Sequence, residues 1–316
     1  MNLIHNLGPN TVSTLLPDRR RGAIKTPKGK PEIVPPEMGI IKDRNLFKKD
    51  TIHKMQAGDC RKILKSFPDE KIQLMITSPP YWNARDYKHW RQIGYGHPLD
   101  EYLDQLIKVW QEIVRVIGPD GKIAVNVGNI YYSKPNEDRK ITANLTLLIW
   151  NQLNSFKELR FMGTIYWLKV TSRKGEVLFG SYPYPSNFMI SNAIEPIYIF
   201  RKKGKRKVSN VIKELSRITK EEFRKYRNPI WPINGIQRED HPATFPSELP
   251  KRLIKLYSFF GDVVLDPFCG IGTTNAEALR LNRSSIGIDI NPLFIKTAIR
   301  RLSKAASESG TSAEIY

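Results

Sequence analysis

The sequence predicts an α/β protein with a mostly parallel sheet that carries helices on both faces. Strand-like and helix-like segments alternate from about residue 51 onward, an order typical of parallel sheets. The run IQLMIT (Ile72–Thr77) is almost entirely apolar, as expected for a strand buried on both faces. Residues 263–274, VVLDPFCGIGTT, have the pattern of a strand, a glycine turn and a helix.

The individual elements follow from periodicity and from the residues at the segment ends. Residues 99–116 place Tyr102, Leu106 and Trp110 on one apolar stripe at helical spacing, and the sequence Gly-Pro-Asp-Gly at 118–121 is expected to stop that helix. Pro292 suits the first turn of the last helix. The other predicted strands cover residues 52–57, 122–127, 161–169, 193–200, 262–265 and 284–288, and the other predicted helices cover residues 60–66, 142–153, 246–259, 273–281 and 292–302.

Composition divides the chain into segments. Residues 1–50 contain six prolines and a cluster of three arginines, which predicts an irregular basic N-terminal arm. The β/α pattern occupies residues 51–203 and 241–304, which we expect to form one folded domain. Residues 204–240 interrupt it with a basic segment, and residues 305–316 are rich in small residues and predict a frayed C-terminal tail.

The charge of the chain favours a polyanionic partner. The 316 residues carry 51 Lys and Arg against 31 Asp and Glu, a formal charge of +20. Residues 201–227 hold 12 basic and 3 acidic residues, hence 12 − 3 = +9 of that excess. This predicts contact with nucleic-acid phosphates and argues against an acidic or membrane-anchored protein. A solvated helix whose glutamates pair locally is the alternative for this segment.

Cysteine and histidine usage excludes other classes. Two cysteines, Cys60 and Cys269, cannot form a disulfide framework and fit a reducing cytoplasm. Five scattered histidines lack the spacing of metal ligands, so no metal site is expected. No apolar run approaches the roughly 20 residues that span a bilayer. A cytoplasmic protein is the expectation.

The glycine turn predicts a nucleoside cofactor. Gly270 and Gly272 lack a Cβ, so the backbone can approach a ligand, and the following helix directs free N–H groups toward it. Asp289 ends the next strand, where an acidic residue accepts from ribose hydroxyls. Asp266 offers a carboxylate to a cationic group, which suits S-adenosylmethionine. Asp59 suits either the adenine amine or the N-cap of the next helix. A tight turn that only packs helix on sheet is the alternative.

The turn Ser78-Pro79-Pro80-Tyr81 follows the buried strand Ile72–Thr77 and predicts a pocket for a planar base. Two prolines remove two N–H donors and leave carbonyl acceptors, and an aromatic ring follows at once. Such a turn suits a base that carries an exocyclic amine. An ordinary proline-rich turn is the alternative. We expect neither cysteine to act as a nucleophile, which favours direct transfer of the sulfonium methyl group to the amine.

These motifs together resemble the DNA amino-methyltransferases. The matching segments are TSPPYW, the NARDY loop at 83–87, IGYG at 93–96, HPATFPSELP at 241–250, VLDPFCGIGTT and GIDIN. The base motif precedes the cofactor motif with a variable basic segment between them, which resembles the β-class arrangement. The resemblance covers about residues 51–304 and implies a circularly permuted Rossmann-like methyltransferase fold with a small target-recognition segment.

The resemblance also implies roles for individual residues. In this family serine before Pro-Pro usually accompanies cytosine N4 methylation, whereas aspartate or asparagine accompanies adenine N6 methylation, so Ser78 favours N4. Cys269 stands within the glycine turn, where the family has a glycine or another small residue, and it is small enough to fit. The implied base pocket and catalytic turn is Ser78, Pro79, Pro80 and Tyr81, and the implied cofactor residues are Asp59, Phe245, Asp266, Phe268, Gly270, Gly272, Thr273, Asp289 and Asn291.

The expected function is therefore site-specific methylation of a flipped cytosine in double-stranded DNA with S-adenosylmethionine. A restriction endonuclease acting on the same site is a candidate partner, and the chain is expected to be a monomer or homodimer. Adenine N6 methylation is the nearest alternative, and RNA methylation is a weaker one. A catalytically silent nucleic-acid-binding subunit belongs to a different class, which the intact SPPY and glycine turns disfavour.

Overall fold

The computed structural model describes residues 51–133, 140–169, 185, 190, 192–235 and 245–316. The predicted N-terminal arm and residues 236–244 lie outside this part of the chain. Its strands are β1 (Thr51–Ala57), β2 (Ile72–Thr77), β3 (Ile117–Asn126), β4 (Ile130–Ser133), β5 (Lys140–Ala143), β6 (Leu159–Lys169), β7 (Ile194–Lys202), β8 (Ile230–Ile233), β9 (Val263–Asp266), β10 (Ser284–Asp289) and β11 (Ala313–Ile315).

The helices connect these strands as the alternating pattern predicts. A 3-10 turn, Leu64–Ser66, continues the first helix, so the predicted helix over residues 60–66 is present as two short pieces. The helices of the described residues are α1 (Cys60–Ile63), α2 (Leu99–Val116), α3 (Leu145–Asn154), α4 (Asn210–Leu215), α5 (Lys220–Tyr226), α6 (Glu248–Tyr257), α7 (Thr273–Arg280) and α8 (Pro292–Ser309).

The central sheet confirms the predicted α/β class. Nine of the described strands form it in the order β11-β1-β10-β9-β2-β3-β7-β6-β8, and only β7 runs antiparallel to its neighbours. The late strands β9 and β10 lie between β1 and β2. The strand order therefore reverses between β9 and β2, and a crevice at the carboxyl ends of two such strands is where open α/β sheets bind ligands.

Apolar side chains pack on both faces of the sheet. One core contains α2 and α3 against β2 and β3, with Tyr102 and Trp110 fully buried. A second core places α6 against β6 and β7 and includes Trp231. A third packs α7 and α8 together. Among the described residues, no helix combines the length and apolar character that crossing a membrane requires.

Two predicted element boundaries in the middle of the chain were wrong. The strand predicted over residues 122–127 begins earlier than expected, at Ile117 directly after α2, so the Gly-Pro-Asp-Gly sequence lies inside β3. A Cβ on Gly118 would lie 2.9 Å from the Glu70 carbonyl oxygen, so the glycine lets the strand pass close to its neighbour. Residues 142 and 143 belong to β5, which pairs with β4 in a separate hairpin that the sequence analysis missed.

The prediction of a frayed C-terminal tail was also wrong. Helix α8 continues to Ser309 and ends at Gly310, which has the left-handed φ of 58° that favours glycine. Strand β11 then pairs in parallel with β1, and the Tyr316 N–H donates to the His53 carbonyl at 3.0 Å. Small residues at 305–312 suggested a tail, and a three-residue strand is too short to show a period.

Candidate active site

The predicted site residues gather around one cavity at the carboxyl ends of β1, β2, β9 and β10. The cavity is open to solvent, and the space between its walls is about 830 Å³ when the solvent at its mouth is included. Both the glycine turn and the Ser-Pro-Pro-Tyr turn contribute to its wall, so the structure brings the two motifs together. The predicted residues that line it are Asp59, Ser78, Pro80, Tyr81, Phe245, Asp266, Phe268, Gly270, Thr273 and Asp289.

Asp266 lies at the end of β9, where the strand order reverses. Its carboxylate accepts from the Thr77 hydroxyl at 2.7 Å, the Thr274 hydroxyl at 2.8 Å and the Phe268 N–H at 3.2 Å. Burial raises the pKa of Asp266 to about 6, against the lowering effect of these hydrogen bonds. The two hydroxyl donors hold the Asp266 carboxylate in place beside the crevice between β9 and β2.

Asp289 ends β10 and holds the glycine turn from the other side. One carboxylate oxygen accepts from the Gly270 N–H at 2.9 Å, and the other accepts from the Asn291 N–H at 2.8 Å. Burial raises the pKa of Asp289 to about 6 as well. The Asn291 side chain caps α8 and donates to the Tyr87 carbonyl at 3.1 Å, so Asn291 supports the cavity wall without lining it.

Asp59 is engaged by its own helix. It accepts from the Arg61 N–H at 3.0 Å as the N-cap of α1, and the Arg61 guanidinium also contacts its carboxylate at 2.7 Å. Burial opposes the ionisation of Asp59, but the hydrogen bonds and charge of Arg61 together outweigh it and lower the pKa of this carboxyl. The cap predicted for Asp59 is confirmed, and the residue also lines the cavity.

Gly272 has a packing role in the turn. Its φ is 73°, and a Cβ there would lie 2.8 Å from the Ala298 Cβ of α8. It does not line the cavity, whereas Gly270, with φ of 51°, does. The close approach of α7 and α8 therefore depends on the absence of a side chain at position 272.

We expect Gly272→Ala to lower the free energy of unfolding by about 2–5 kcal/mol, since the left-handed backbone costs about 1–2 kcal/mol and overpacking about 1–3 kcal/mol. Urea denaturation measures the change. Gly96→Ala is the matched control because Gly96 has φ of 77° with nothing near its Cβ position. Equal losses in the two variants would contradict the packing role.

The Ser-Pro-Pro-Tyr turn is held from beneath. Pro79 is buried and does not line the cavity. The Tyr102 hydroxyl donates to the Pro80 carbonyl at 2.8 Å, so this carbonyl, one of those expected to face a base, already has a donor. The Tyr81 phenol interacts with the Ser78 hydroxyl and the Glu195 carboxylate, and burial raises its pKa well above the usual value.

The loop at 83–97 supplies cavity residues that the sequence analysis missed. Tyr87, Arg91, Gln92 and Ile93 line the cavity, and the Tyr87 N–H donates to the Gln92 side chain at 2.5 Å. The loop sequence is polar and aromatic without a period, so it does not reveal which residues face inward. Trp90, next to Arg91, is 79% exposed.

Both cysteines are buried beside the cavity and make poor nucleophiles. Burial raises the pKa of the Cys60 thiol and of the Cys269 thiol well above the usual range. Thiolate is the reactive form of cysteine, so raised pKa values oppose covalent attack. Within the described ranges, His, Cys, Asp and Glu side chains form no group of three or more suited to a metal ion.

The basic segment forms two short helices, α4 and α5, before β8 joins the sheet beside β6. Three basic residues at the end of β7 and just after it pair with carboxylates of the body: Arg201 with Asp120, Lys202 with Glu70, and Arg206 with Asp262 at 2.9 Å. Helix α5 presents a different set to solvent. The exposed basic residues of this helix are Lys220, Arg224 and Lys225.

Glutamates in the segment pair in part, as the solvated-helix alternative expects. Glu222 caps α5 with Thr219 and also contacts Lys255 of α6, and Glu214 lies 3.4 Å from Arg217. The Lys255 contact ties α5 to the body of the protein. The exposed cations of α5 are still available to a polyanion.

Solved structures resemble this fold over most of the chain. The protein TTHA0409 of Thermus thermophilus, named as a putative DNA modification methylase and complexed with S-adenosyl-L-methionine, is 32% identical, with a TM-score of 0.67. The match covers 84% of this chain and 99% of that one. The cytosine-N4-specific PvuII DNA methyltransferase has a TM-score of 0.58 at 19% identity, over 85% of this chain and 98% of that one, and supports the fold alone.

Comparison of amino-acid sequences also finds methyltransferases. The type II methyltransferase M.MjaI of Methanocaldococcus jannaschii is 34% identical over 76% of this chain and 88% of its own length. M.Cfr9I of Citrobacter freundii is 27% identical over 78% of this chain and 86% of its own. The N6/N4 methyltransferase family model, described as DNA methylase, matches residues 72–300. With both motifs on one cavity at the strand-order reversal, this match shows that the chain belongs to the DNA methylase family.

Proposed function

We propose that this protein transfers a methyl group from S-adenosylmethionine to the exocyclic N4 of an extruded cytosine in duplex DNA. The observation that carries the proposal is the convergence of the glycine turn and the Ser-Pro-Pro-Tyr turn on one cavity. A restriction-modification role, with an endonuclease acting on the same site, follows from the type II methyltransferases that resemble this chain.

The residues of the cavity fit the cofactor. Asp266 and Asp289 are buried carboxyl groups beside a turn with two left-handed glycines, and Phe245 and Phe268 add apolar surface. Asp289 is suited to the ribose, Asp266 to the cationic methionine end, and Asp59 to the adenine side. The N–H groups at the start of α7 are suited to the methionine carboxylate. When bound, the cofactor supplies an electrophilic methyl group on a sulfonium.

The Ser-Pro-Pro-Tyr turn is suited to hold the base. The Ser78 hydroxyl and the Ser78 carbonyl oxygen can accept from the cytosine amine, and the Tyr81 ring offers an aromatic surface. Accepting both amino hydrogens keeps the nitrogen lone pair out of conjugation with the ring. The protein's main contribution is then orientation of the amine, which supplies much of the rate in such reactions. The raised thiol pKa values of the cysteines support direct transfer.

Nucleoside analysis tests the base assignment. Unmodified genomic DNA is incubated with the protein and S-adenosylmethionine, digested and analysed by mass spectrometry. We expect N4-methylcytosine, and N6-methyladenine alone would contradict the cytosine assignment while leaving a DNA methyltransferase. Absence of both products, together with normal DNA binding and no cofactor heat in calorimetry, would favour the silent binding subunit. Sequencing methylated DNA from expressing cells then reports the recognition site.

Cofactor affinity should fall below pH about 6. The pKa values of Asp266 and Asp289 are both raised to about 6, so both carboxyls are largely ionised at pH 7.5 and largely protonated at pH 5. A cationic ligand favours the ionised form, so each protonated carboxyl that contacts it lowers affinity about tenfold at pH 5. Calorimetry from pH 5 to 8 measures this change, and Asp266→Asn should reduce it by the roughly tenfold effect that Asp266 contributes. A constant affinity over that range would contradict these contacts.

A further inference from the structure

Glu195 is a buried carboxylate at the same end of the sheet as the Ser-Pro-Pro-Tyr turn. Strand β7 is antiparallel, so its first residues lie where β2 and β3 end. Glu195 is 5% exposed and pairs in register with Trp167 of β6. The mechanism proposed above gives it no role, and it does not line the cavity.

Two contacts account for the burial of this carboxylate. The Lys169 ammonium forms an ion pair with it and lies 5.2 Å from the centre of the Trp167 ring. On its other side Glu195 interacts with the Tyr81 phenol, which also interacts with Ser78. A buried carboxylate is costly without partners, so this arrangement keeps Glu195 in one position.

The end of β3 leaves room for Glu195. A Cβ on Gly128 would lie 2.8 Å from Glu195 Oε1 and 3.0 Å from its Cγ, closer than such atoms approach. The Val127 N–H donates to the Pro196 carbonyl at 3.2 Å, which holds β3 and β7 together at this point. Any larger residue at 128 would displace the carboxylate from the Tyr81 phenol or force the strands apart.

We propose that Glu195, held by Lys169 and accommodated by Gly128, is a positioning residue that fixes Tyr81 and, through its phenol, the Ser78 hydroxyl. The inference rests on the proposed methyl transfer at the Ser-Pro-Pro-Tyr turn. Glu195 touches neither base nor cofactor in this account. It sets the orientation of the two side chains that do, so its loss should slow the methyl-transfer step and leave binding nearly intact.

A double-mutant cycle between Glu195→Gln and Tyr81→Phe tests the inference. The readout is the single-turnover rate of methyl transfer at saturating DNA and cofactor. Each single variant should be about tenfold slower, with dissociation constants for DNA and S-adenosylmethionine within about twofold of wild type. The double variant should be no slower than either single one, because both changes break the same contact. Glu158→Gln, an exposed glutamate at the other end of β6, is the matched control.

The remaining outcomes are decisive. Additive rate effects, or a wild-type rate in Glu195→Gln, would overturn the positioning role. If Glu195→Gln does not fold, Gly128→Ala replaces it in the same cycle, since the added Cβ pushes the carboxylate from Tyr81 and should be silent in the Tyr81→Phe background. A wild-type protein that methylates no DNA would instead reject the proposed function, so the two failures are distinguishable.

Discussion

Ser78→Ala and Tyr81→Ala should each slow methyl transfer about 100-fold while DNA affinity changes by less than about threefold. Both side chains line the cavity, and the Ser78 hydroxyl interacts with the Tyr81 phenol. Removing either side chain leaves the remaining groups of the turn less well fixed, so that they orient the cytosine amine less precisely. The exposed cations that we expect to contact phosphate lie elsewhere, on α5, so most of the DNA affinity should remain.

The experiment compares single-turnover rates with dissociation constants from a labelled duplex. Ser303→Ala, an exposed serine on α8, is the control for the serine substitution. Tyr81→Ala leaves a cavity and lowers the free energy of unfolding, so its thermal midpoint must be measured before its rate is interpreted. DNA affinity falling in parallel with the rate would contradict the separation between chemistry and phosphate contact.

The sequence predicted many of the residues that line the cavity, because they lie next to turns with strong local signals. Asp266 and Asp289 end strands, Gly270 follows one, and the prolines at 79 and 80 mark the other turn. In a parallel sheet the ends of successive strands share one side, so their convergence follows from topology. The strand order in the structure agrees with that expectation.

Other features of the site depend on contacts between distant parts of the chain. Glu195 reaches Tyr81 because β7 enters the sheet in the reverse direction, which its sequence does not reveal. The sequence does not predict the hydrogen bond from the Tyr102 hydroxyl to the Pro80 carbonyl, because the apolar stripe of α2 identifies Tyr102 only as a core residue. The short strand β11 is formed by pairing with β1 and has no period of its own.

Replacing Lys220, Arg224 and Lys225 of α5 with glutamine should weaken duplex binding by about 10- to 100-fold and reduce the slope of log affinity against log salt by about 3. These three residues are exposed on a helix that begins with a capping box and that the Glu222–Lys255 contact ties to the body. Each phosphate contact releases condensed counterions from DNA. Losing three contacts should therefore lower the magnitude of the slope by about three.

A triple variant at the opposite edge of the sheet provides the control for the change in net charge. Lys296, Arg300 and Lys304 are exposed on α8, which packs beside β1 and β11, whereas α5 precedes β8 at the other edge. Replacing these three with glutamine lowers the net charge equally, from +20 to +17. Equal losses of affinity in both variants would mean that net charge alone attracts DNA. A loss confined to the α5 variant would place the DNA on the side of the sheet where β8, β6 and the Glu195–Tyr81 contact lie.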